Sequence, residues 1–268
     1  MAVLMTGGGM ILAKGPGELW GVVLTLFGTA LAVASANTIN QYLERDVDGL
    51  MARTQKRPLP SRRMNPPLAL WFGIGMGIIS LGMLVFVNIL TAWLGAVALI
   101  MYTLIYTPLK LKTPFALMIG AIPGAMPPLM GWTAGTNAIQ WPGIVLFLIL
   151  FFWQLPHFLA IAIFYKDEYE KAGICTGPSV RGIRVTQLEM LVYSSLLLPI
   201  SLLMVPLGFA GWIYAIVALL SGLMLVWLSF RGVLLNAGTH WARKFFVATL
   251  LYLPIITLGL FIDRILGK

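Results

Sequence analysis

Nine apolar stretches dominate this chain and leave it few ways to fold. They run over residues 1–13, 17–39, 67–89, 91–106, 115–133, 142–164, 187–209, 211–230 and 244–262. As helices, the last eight cross, or nearly cross, a hydrocarbon core about 30 Å thick. The first covers only about 20 Å, so it is either re-entrant or cut short, and a helix missing its beginning is the expectation. The stretches are continuous rather than alternating, which excludes an outer-membrane barrel. Charged residues make up only 10% of the chain, against about 25% in a soluble domain, so a soluble core is excluded as well. The expected class is an all-α, polytopic membrane protein.

The segments between the stretches fix its orientation. Residues 40–66, 107–114, 165–186 and 231–243 fall on one face and, with Lys244 at their edge, carry every Lys and Arg except Lys14, Arg264 and Lys268. Basic loops stay on the cytoplasmic side, so that face is cytoplasmic and the C-terminus lies outside. The same asymmetry explains the net charge of +9 without invoking nucleic acid. No cleavable signal peptide is evident, because Met1 to Ala13 is apolar without a basic start. The single cysteine, Cys175, allows no internal disulfide. No His adjoins it in sequence to activate it, so it reads as a small buried or loop residue.

Three polar constellations interrupt the hydrocarbon. In the first, Asn40, Glu44 and Asp48 are spaced by four, which places them on one helix face. Oxygen ligands in a row suit a hard divalent cation, most simply Mg²⁺ holding a phosphate. Arg53, Lys56 and Arg57 come next, before the break at Pro58 and Pro60. Metal ligands beside a fixed basic loop fit a diphosphate, whose remaining charge guanidinium groups can take. The plainer readings are a polar helix end reaching into water and a loop whose bases only set topology. Asp46 points away from Glu44 and is expected to partner a neighbouring base.

In the second constellation Tyr102, Tyr106 and Lys110 repeat the spacing of four, with Lys112 close behind. The lysines can reach a phosphate as point charges; an aromatic belt with a snorkelling lysine competes with that reading. The third places His157 inside an apolar stretch, with Lys166, Asp167, Glu168 and Glu170 after it. An ionisable group at membrane depth is a functional candidate. It could ligate or orient a haem or relay a proton, against the simpler role of bonding a carbonyl. Asp167 could supply another metal carboxylate. Pro123, Pro127 and Pro128 with Gly120, Gly124 and Gly131 break the fifth stretch, as happens where a helix lines a cavity.

These blocks resemble the UbiA-type intramembrane prenyltransferases, and within them the family that farnesylates haem. The resemblance rests on Asn40 to Asp48 with Met51, Arg53, Thr54, Arg57 and Pro58. It continues through Tyr106 to Lys110 with Lys112 to Pro114, then Gly120 with Gly124 to Pro128 and Gly131. It ends with Gln154 to Phe158, Lys166, Asp167 and Ala172 to Ile174. The blocks keep the family's order and span about residues 30 to 190. The resemblance implies one membrane domain over residues 1–268, with about nine transmembrane helices around a central cavity. It implies farnesyl diphosphate and haem B as substrates, Mg²⁺ as cofactor, and haem O and diphosphate as products, in a bacterial inner membrane with the site on the cytoplasmic side. Haem O would pass to haem A synthase or to terminal oxidase assembly.

The same resemblance implies roles for Asn40, Glu44, Asp48 and Asp167 at the metal, and for Arg53, Arg57, Lys110, Lys112 and Lys166 at the diphosphate. Tyr106 is expected to shield an allylic cation, and His157 to touch the haem or manage a proton. Glu44 stands where the family commonly has Asp. The family usually begins with a Lys-Pro-Arg element before its first helix; the sequence from Met1 onward has none there, and Met1 is expected to fall where the middle of that helix should be. Two alternatives stand beside this reading. A prenyltransferase of quinone or chlorophyll pathways is disfavoured by Leu155-Pro156-His157-Phe158 and by the lack of a second Asp-x-x-x-Asp motif. A haem-handling or transport protein would give no reason for carboxylates and bases to converge on one face.

Overall fold

The structure, a computed structural model, describes residues 1–13, 15 and 18–266, without the side chain of Arg264. Lys14 and Lys268, expected on the face poor in bases, lie outside the described residues. The helices are α1 (Ala2–Leu12), α2 (Leu19–Leu43), α3 (Arg45–Asp48), α4 (Pro66–Val85) and α5 (Ile89–Ile100). A π-helical turn (Met101–Tyr106) and α6 (Thr107–Leu109) extend α5. Then come α7 (Ala116–Thr136), α8 (Trp141–Phe164), α9 (Lys166–Lys171), α10 (Gly177–Arg181), α11 (Ile183–Leu202), α12 (Trp212–Leu234) and α13 (Thr239–Ile265).

Each of the nine apolar stretches therefore contains a helix. Among the described residues seven are long and apolar enough to cross a membrane: α2, α4, the run Ile89–Leu109, α8, α11, α12 and α13 as far as Asp263. α1 is too short, and α7 is diluted by Gly, Thr and Pro. Only 28% of the apolar window of α2 is buried, and the same share of α4. Phe27, Trp71, Phe72, Ile78 and Trp93 point outward, as expected where lipid replaces water around a helix. The chain is an integral membrane protein.

Two compact units divide the chain. The first comprises Met1–Gly143 with Asp167–Cys175; the second comprises Ile144–Lys166 and the chain from Thr176 onward. Lipid gives no hydrophobic drive for helices to associate, so close backbone approach and hydroxyl bonds hold each unit together. In the first, Ser35 Oγ donates to Gly73 O at 2.7 Å and Ser80 Oγ to Gly28 O at 2.6 Å, locking α2 to α4. A Cβ at Gly73 would lie 2.9 Å from Ile39 Cγ1, so no other residue fits there without a shift. Asn88 caps α5 by accepting from Thr91 N at 2.8 Å and ties it to α7 by donating to Thr133 O at 2.9 Å.

In the second unit Ser194 and Ser229 join α11 to α12 at 3.0 Å. Tyr252 meets Ser201 at 2.6 Å, and Tyr214 donates to Ser201 O at 2.9 Å. The buried Asp263 accepts from Gly211 N at 2.6 Å and Tyr214 N at 3.0 Å. It thereby satisfies donors that the start of α12 would otherwise leave orphaned.

Candidate active site

α2 ends at Leu43, and Glu44 takes a non-helical φ of −102° before α3. The polar face survives this break. Glu44 N bonds Asn40 O at 2.9 Å and Asp48 N bonds Glu44 O at 2.7 Å, so the spacing of four persists through the junction. All three side chains are buried, Glu44 at 5% and Asp48 at 1% exposure.

A buried carboxylate costs several kcal/mol unless paired, and both are paired. The Lys110 ammonium rests on Glu44 Oε1. Arg57 Nη1 donates to Asp48 Oδ2 at 2.7 Å. Burial pushes the Glu44 carboxyl above its ordinary 4.5, and the Lys110 charge pulls it back only in part. Asn40 Nδ2 donates to Thr107 Oγ1 at 3.1 Å. Thr54 Oγ1 donates to Asp48 O at 2.8 Å and fixes the start of the basic loop.

The π-turn explains how Tyr102, Thr107 and Lys110 reach this face. Thr107 Oγ1 donates to Tyr102 O five residues back, at 2.8 Å. The wider winding rotates the residues beyond the turn, and such turns recur at functional sites. The Tyr106 ring centroid is 5.9 Å from Lys110 Nζ and 5.3 Å from the Tyr102 ring. Tyr106 packs on Gly120 so closely that a Cβ there would sit 2.6 Å from Tyr106 Cε2. That contact accounts for the glycine.

A pocket of about 180 Å³ continues from the same face of α2, with Tyr102 and Asn37 in its lining. Asn37 precedes Asn40 by one turn. The rest of the lining is apolar or small, including Ala36, Ala98, Pro123 and Met130. Carboxylates, bases and an apolar slot are thus contiguous within the first unit.

The remaining expected residues divide between the units. Arg53 Nη2 donates to Tyr169 Oη at 3.3 Å, which joins the basic loop to α9. Met51 packs with Ala172 and Ile174 beneath that contact. Asp167 heads α9 and is exposed. Among the described residues it makes no hydrogen bond or ion pair with Asn40, Glu44 or Asp48. Lys112 is exposed in the loop after α6. Asp46 faces Arg45 at 4.0 Å, the neighbouring base expected for it. Cys175 is a loop residue whose Sγ donates to Leu111 O at 3.3 Å.

His157 and Lys166 belong to the second unit. The His157 ring stacks between Trp153 and Phe246, each with its centroid 4.7 Å away. His157 Nδ1 lies 2.8 Å from Thr249 Oγ1, and that hydroxyl donates to Phe246 O at 2.6 Å. A hydroxyl has one proton to give. With it spent on Phe246, Nδ1 must be the donor, which leaves Nε2 with its lone pair.

Several working residues were not singled out by spacing. Thr107 and Thr54 orient the polar face, Tyr169 holds Arg53, and Thr249 sets the His157 tautomer. Thr107 left a trace, as a hydroxyl between Tyr106 and Pro108 at the end of an apolar stretch. Tyr169 and Thr249 left none, because each acts on a residue far away in sequence.

The donor set suits a hard divalent cation, with two carboxylates and an amide on one face. Among the described residues no cluster of three or more His, Cys, Asp or Glu is arranged to hold a metal.

Comparison with known proteins agrees with this chemistry. The sequence profile of the UbiA prenyltransferase family matches residues 2–251. The protoheme IX farnesyltransferase of Sorangium cellulosum is 48% identical over 90% of this chain and 86% of its own length. A UbiA homologue from Aeropyrum pernix superposes with a TM-score of 0.81 at 17% identity, covering 98% of this chain and 96% of its own. A UbiA homologue from Archaeoglobus fulgidus, bound to DMAPP and Mg²⁺, gives a TM-score of 0.66 at 17% identity over 97% and 95% of the two chains.

Proposed function

Given that the chain belongs to the UbiA prenyltransferase family, we propose that it transfers the farnesyl group of farnesyl diphosphate to a vinyl group of haem B, giving haem O and diphosphate. One observation carries this reading. Two buried carboxylates share a face with an amide, are paired with Lys110 and Arg57, and adjoin an apolar pocket. That is a polar head site joined to a hydrocarbon slot, the two ends of a prenyl diphosphate. The acceptor is taken from the protoheme IX farnesyltransferases that the chain resembles along most of its length.

Asn40, Glu44 and Asp48 would hold Mg²⁺, with Asp167 completing the set from α9, which Tyr169 draws to the Arg53 loop. When bound, the metal neutralises charge on the diphosphate and makes it a better leaving group. The protein's own bases do the same from the other side. Arg57 and Lys110 each have a carboxylate partner that they can exchange for a phosphate oxygen, while Arg53, Lys112 and Lys166 would each offer a further base to the diphosphate. Fixed positive charge aimed at the leaving group lowers the barrier most, because charge builds up there as the C1–O bond breaks.

The allylic carbon becomes cationic and is shielded by the face of Tyr106. The haem vinyl group supplies the electron pair of the new C–C bond. Water then adds to the remaining vinyl carbon and loses a proton, completing the hydroxyethylfarnesyl group. His157, with Nε2 free to accept, would receive that proton or contact the haem. The apolar pocket keeps water from the cation until the C–C bond has formed.

The family match runs through both units, which supports a single prenyltransferase domain. The excess of basic loops supports a cytoplasmic site in a bacterial inner membrane. Haem A synthase or terminal oxidase assembly would take up the product. The test uses Glu44→Gln and Asp48→Asn in membranes given haem B, farnesyl diphosphate and Mg²⁺. Haem O formation should fall about 100-fold or more in each; parent rates in both would overturn the metal role.

A further inference from the structure

The pocket beside the carboxylates has a floor, and its depth matches one chain length. On α2 the residues facing it run from Asn37 through Val33 to Thr29. Asn37 and Val33 are exposed, whereas Thr29 is 1% exposed. The slot is therefore open near the polar face and closed at Thr29. Thr29 precedes Asn40 by about 16 Å of helix. On α7 the lining begins at Pro123, one turn beyond the Gly120 that packs on Tyr106, and ends at the buried Met130, about 10 Å further on.

Beyond Met130 the way is blocked by backbone. A Cβ at Gly131 would collide with Thr6 O of α1, and one at Gly9 with Pro128 O of α7. α1 therefore lies directly on α7 there. On the third side is Gly95 of α5. A methyl group on it would sit 3.3 Å from Met130 Cε and 2.9 Å from Leu84 Cδ1.

The main chain of a farnesyl group has twelve carbons and reaches roughly 14 Å when extended, on ordinary carbon–carbon spacing. One more isoprene unit takes it to roughly 19 Å. We propose that Met130, resting over Gly95 and facing Thr29, is the stop that selects a fifteen-carbon prenyl diphosphate and refuses a twenty-carbon one. The proposal rests on the prenyl transfer proposed above, and deepens it by assigning the residues that set chain length. Met is an apt stop, because its side chain fills irregular space without needing a polar partner.

The test compares farnesyl, geranyl and geranylgeranyl diphosphates in competition, with haem B as acceptor, and reads the mass of each prenylated haem. Met130→Ala opens the floor and should raise the geranylgeranyl-to-farnesyl product ratio about tenfold or more. Gly95→Ala adds a methyl group to the wall of the slot beside Met130 and should raise the geranyl-to-farnesyl ratio instead. If Met130→Ala does not accumulate in membranes, Gly95→Ala carries the test. Unchanged ratios in the variants that accumulate overturn the proposal.

Displacement of labelled farnesyl diphosphate by the other two, measured without haem, should shift in the same order. A shifted binding order with no prenylated haem from any variant or from the parent would count against haem as the acceptor and leave the floor standing. An unshifted binding order overturns the floor whatever becomes of the haem.

Discussion

Asn40 Nδ2 donates to Thr107 Oγ1 at 3.1 Å across 67 residues of sequence, and Thr107 Oγ1 in turn donates to Tyr102 O at 2.8 Å. One threonine thus aims an amide of the polar face and holds the π-turn that delivers Tyr106 and Lys110. Thr107→Val removes both bonds with little change in shape. Haem O formation should fall about tenfold or more, at unchanged membrane abundance, while Thr107→Ser should retain most of the parent rate. A loss of a few kcal/mol is what an unsatisfied buried polar group costs. Equal rates for the Val and Ser variants would show that the hydroxyl has no part.

Glu44 predicts a pH dependence with a definite sign. Its carboxyl is held above 4.5 in the fold by burial, against the pull of Lys110. Between 4.5 and the raised value the native state holds a proton that the unfolded chain has lost, so this residue's contribution to stability falls as pH rises through that window. Activity runs the other way, because only the carboxylate can hold a cation. With Mg²⁺ kept below saturation, so that the metal-free protein sets the profile, the acid limb of the rate should therefore lie above 4.5, measured between about pH 4 and 8. Lys110→Met removes the charge that lowers the value and should move the limb to higher pH, whereas Lys110→Arg should not. A parent limb at or below 4.5 contradicts this assignment.

Arg57 and Asp48 predict a stability effect. Asp48 is buried with a side-chain exposure of 2%, while Arg57 keeps 36%. Arg57→Met leaves the carboxylate unpaired and should cost about 1–3 kcal/mol, less than a fully buried pair because the guanidinium is partly solvated. The thermal midpoint in detergent should drop, and adding Asp48→Asn should recover part of the loss. A midpoint that the single substitution leaves unmoved would mean that water already solvates Asp48.

Much of the polar face was legible because its residues are local. Asn40, Glu44 and Asp48 lie within nine residues, and a helical repeat alone puts them on one face. The apolar stretches and the excess of basic loops gave the membrane class in the same way. Pairing was less visible: nothing in the spacing says that Lys110 takes Glu44 while Arg57 takes Asp48, since the π-turn sets that register. The bounds of α2 and α13 also moved. α2 continues to Leu43 and α13 starts at Thr239, because polar residues extend a helix into the interface where hydropathy no longer marks it. Tyr169 could not be read as a site residue, since its link to Arg53 depends on tertiary packing.

Thr249 predicts an effect on His157 that leaves the imidazole in place. Thr249→Val removes the acceptor for Nδ1–H and frees the ring to take the other tautomer. Haem O formation should fall about tenfold, with Thr249→Ser near the parent. The ¹⁵N shifts of labelled His157 should report a change in which nitrogen carries the proton. Unchanged shifts in the Val variant would show that stacking on Trp153 and Phe246 alone fixes the ring.

The most direct measurement is the mass of haem extracted from membranes that carry this chain and are supplied with haem B, farnesyl diphosphate and Mg²⁺. The account predicts a haem heavier by one farnesyl group and one hydroxyl group, absent when either substrate is omitted and lost in the variant carrying both Glu44→Gln and Asp48→Asn. Recovery of haem B alone from membranes that contain the folded protein would contradict it.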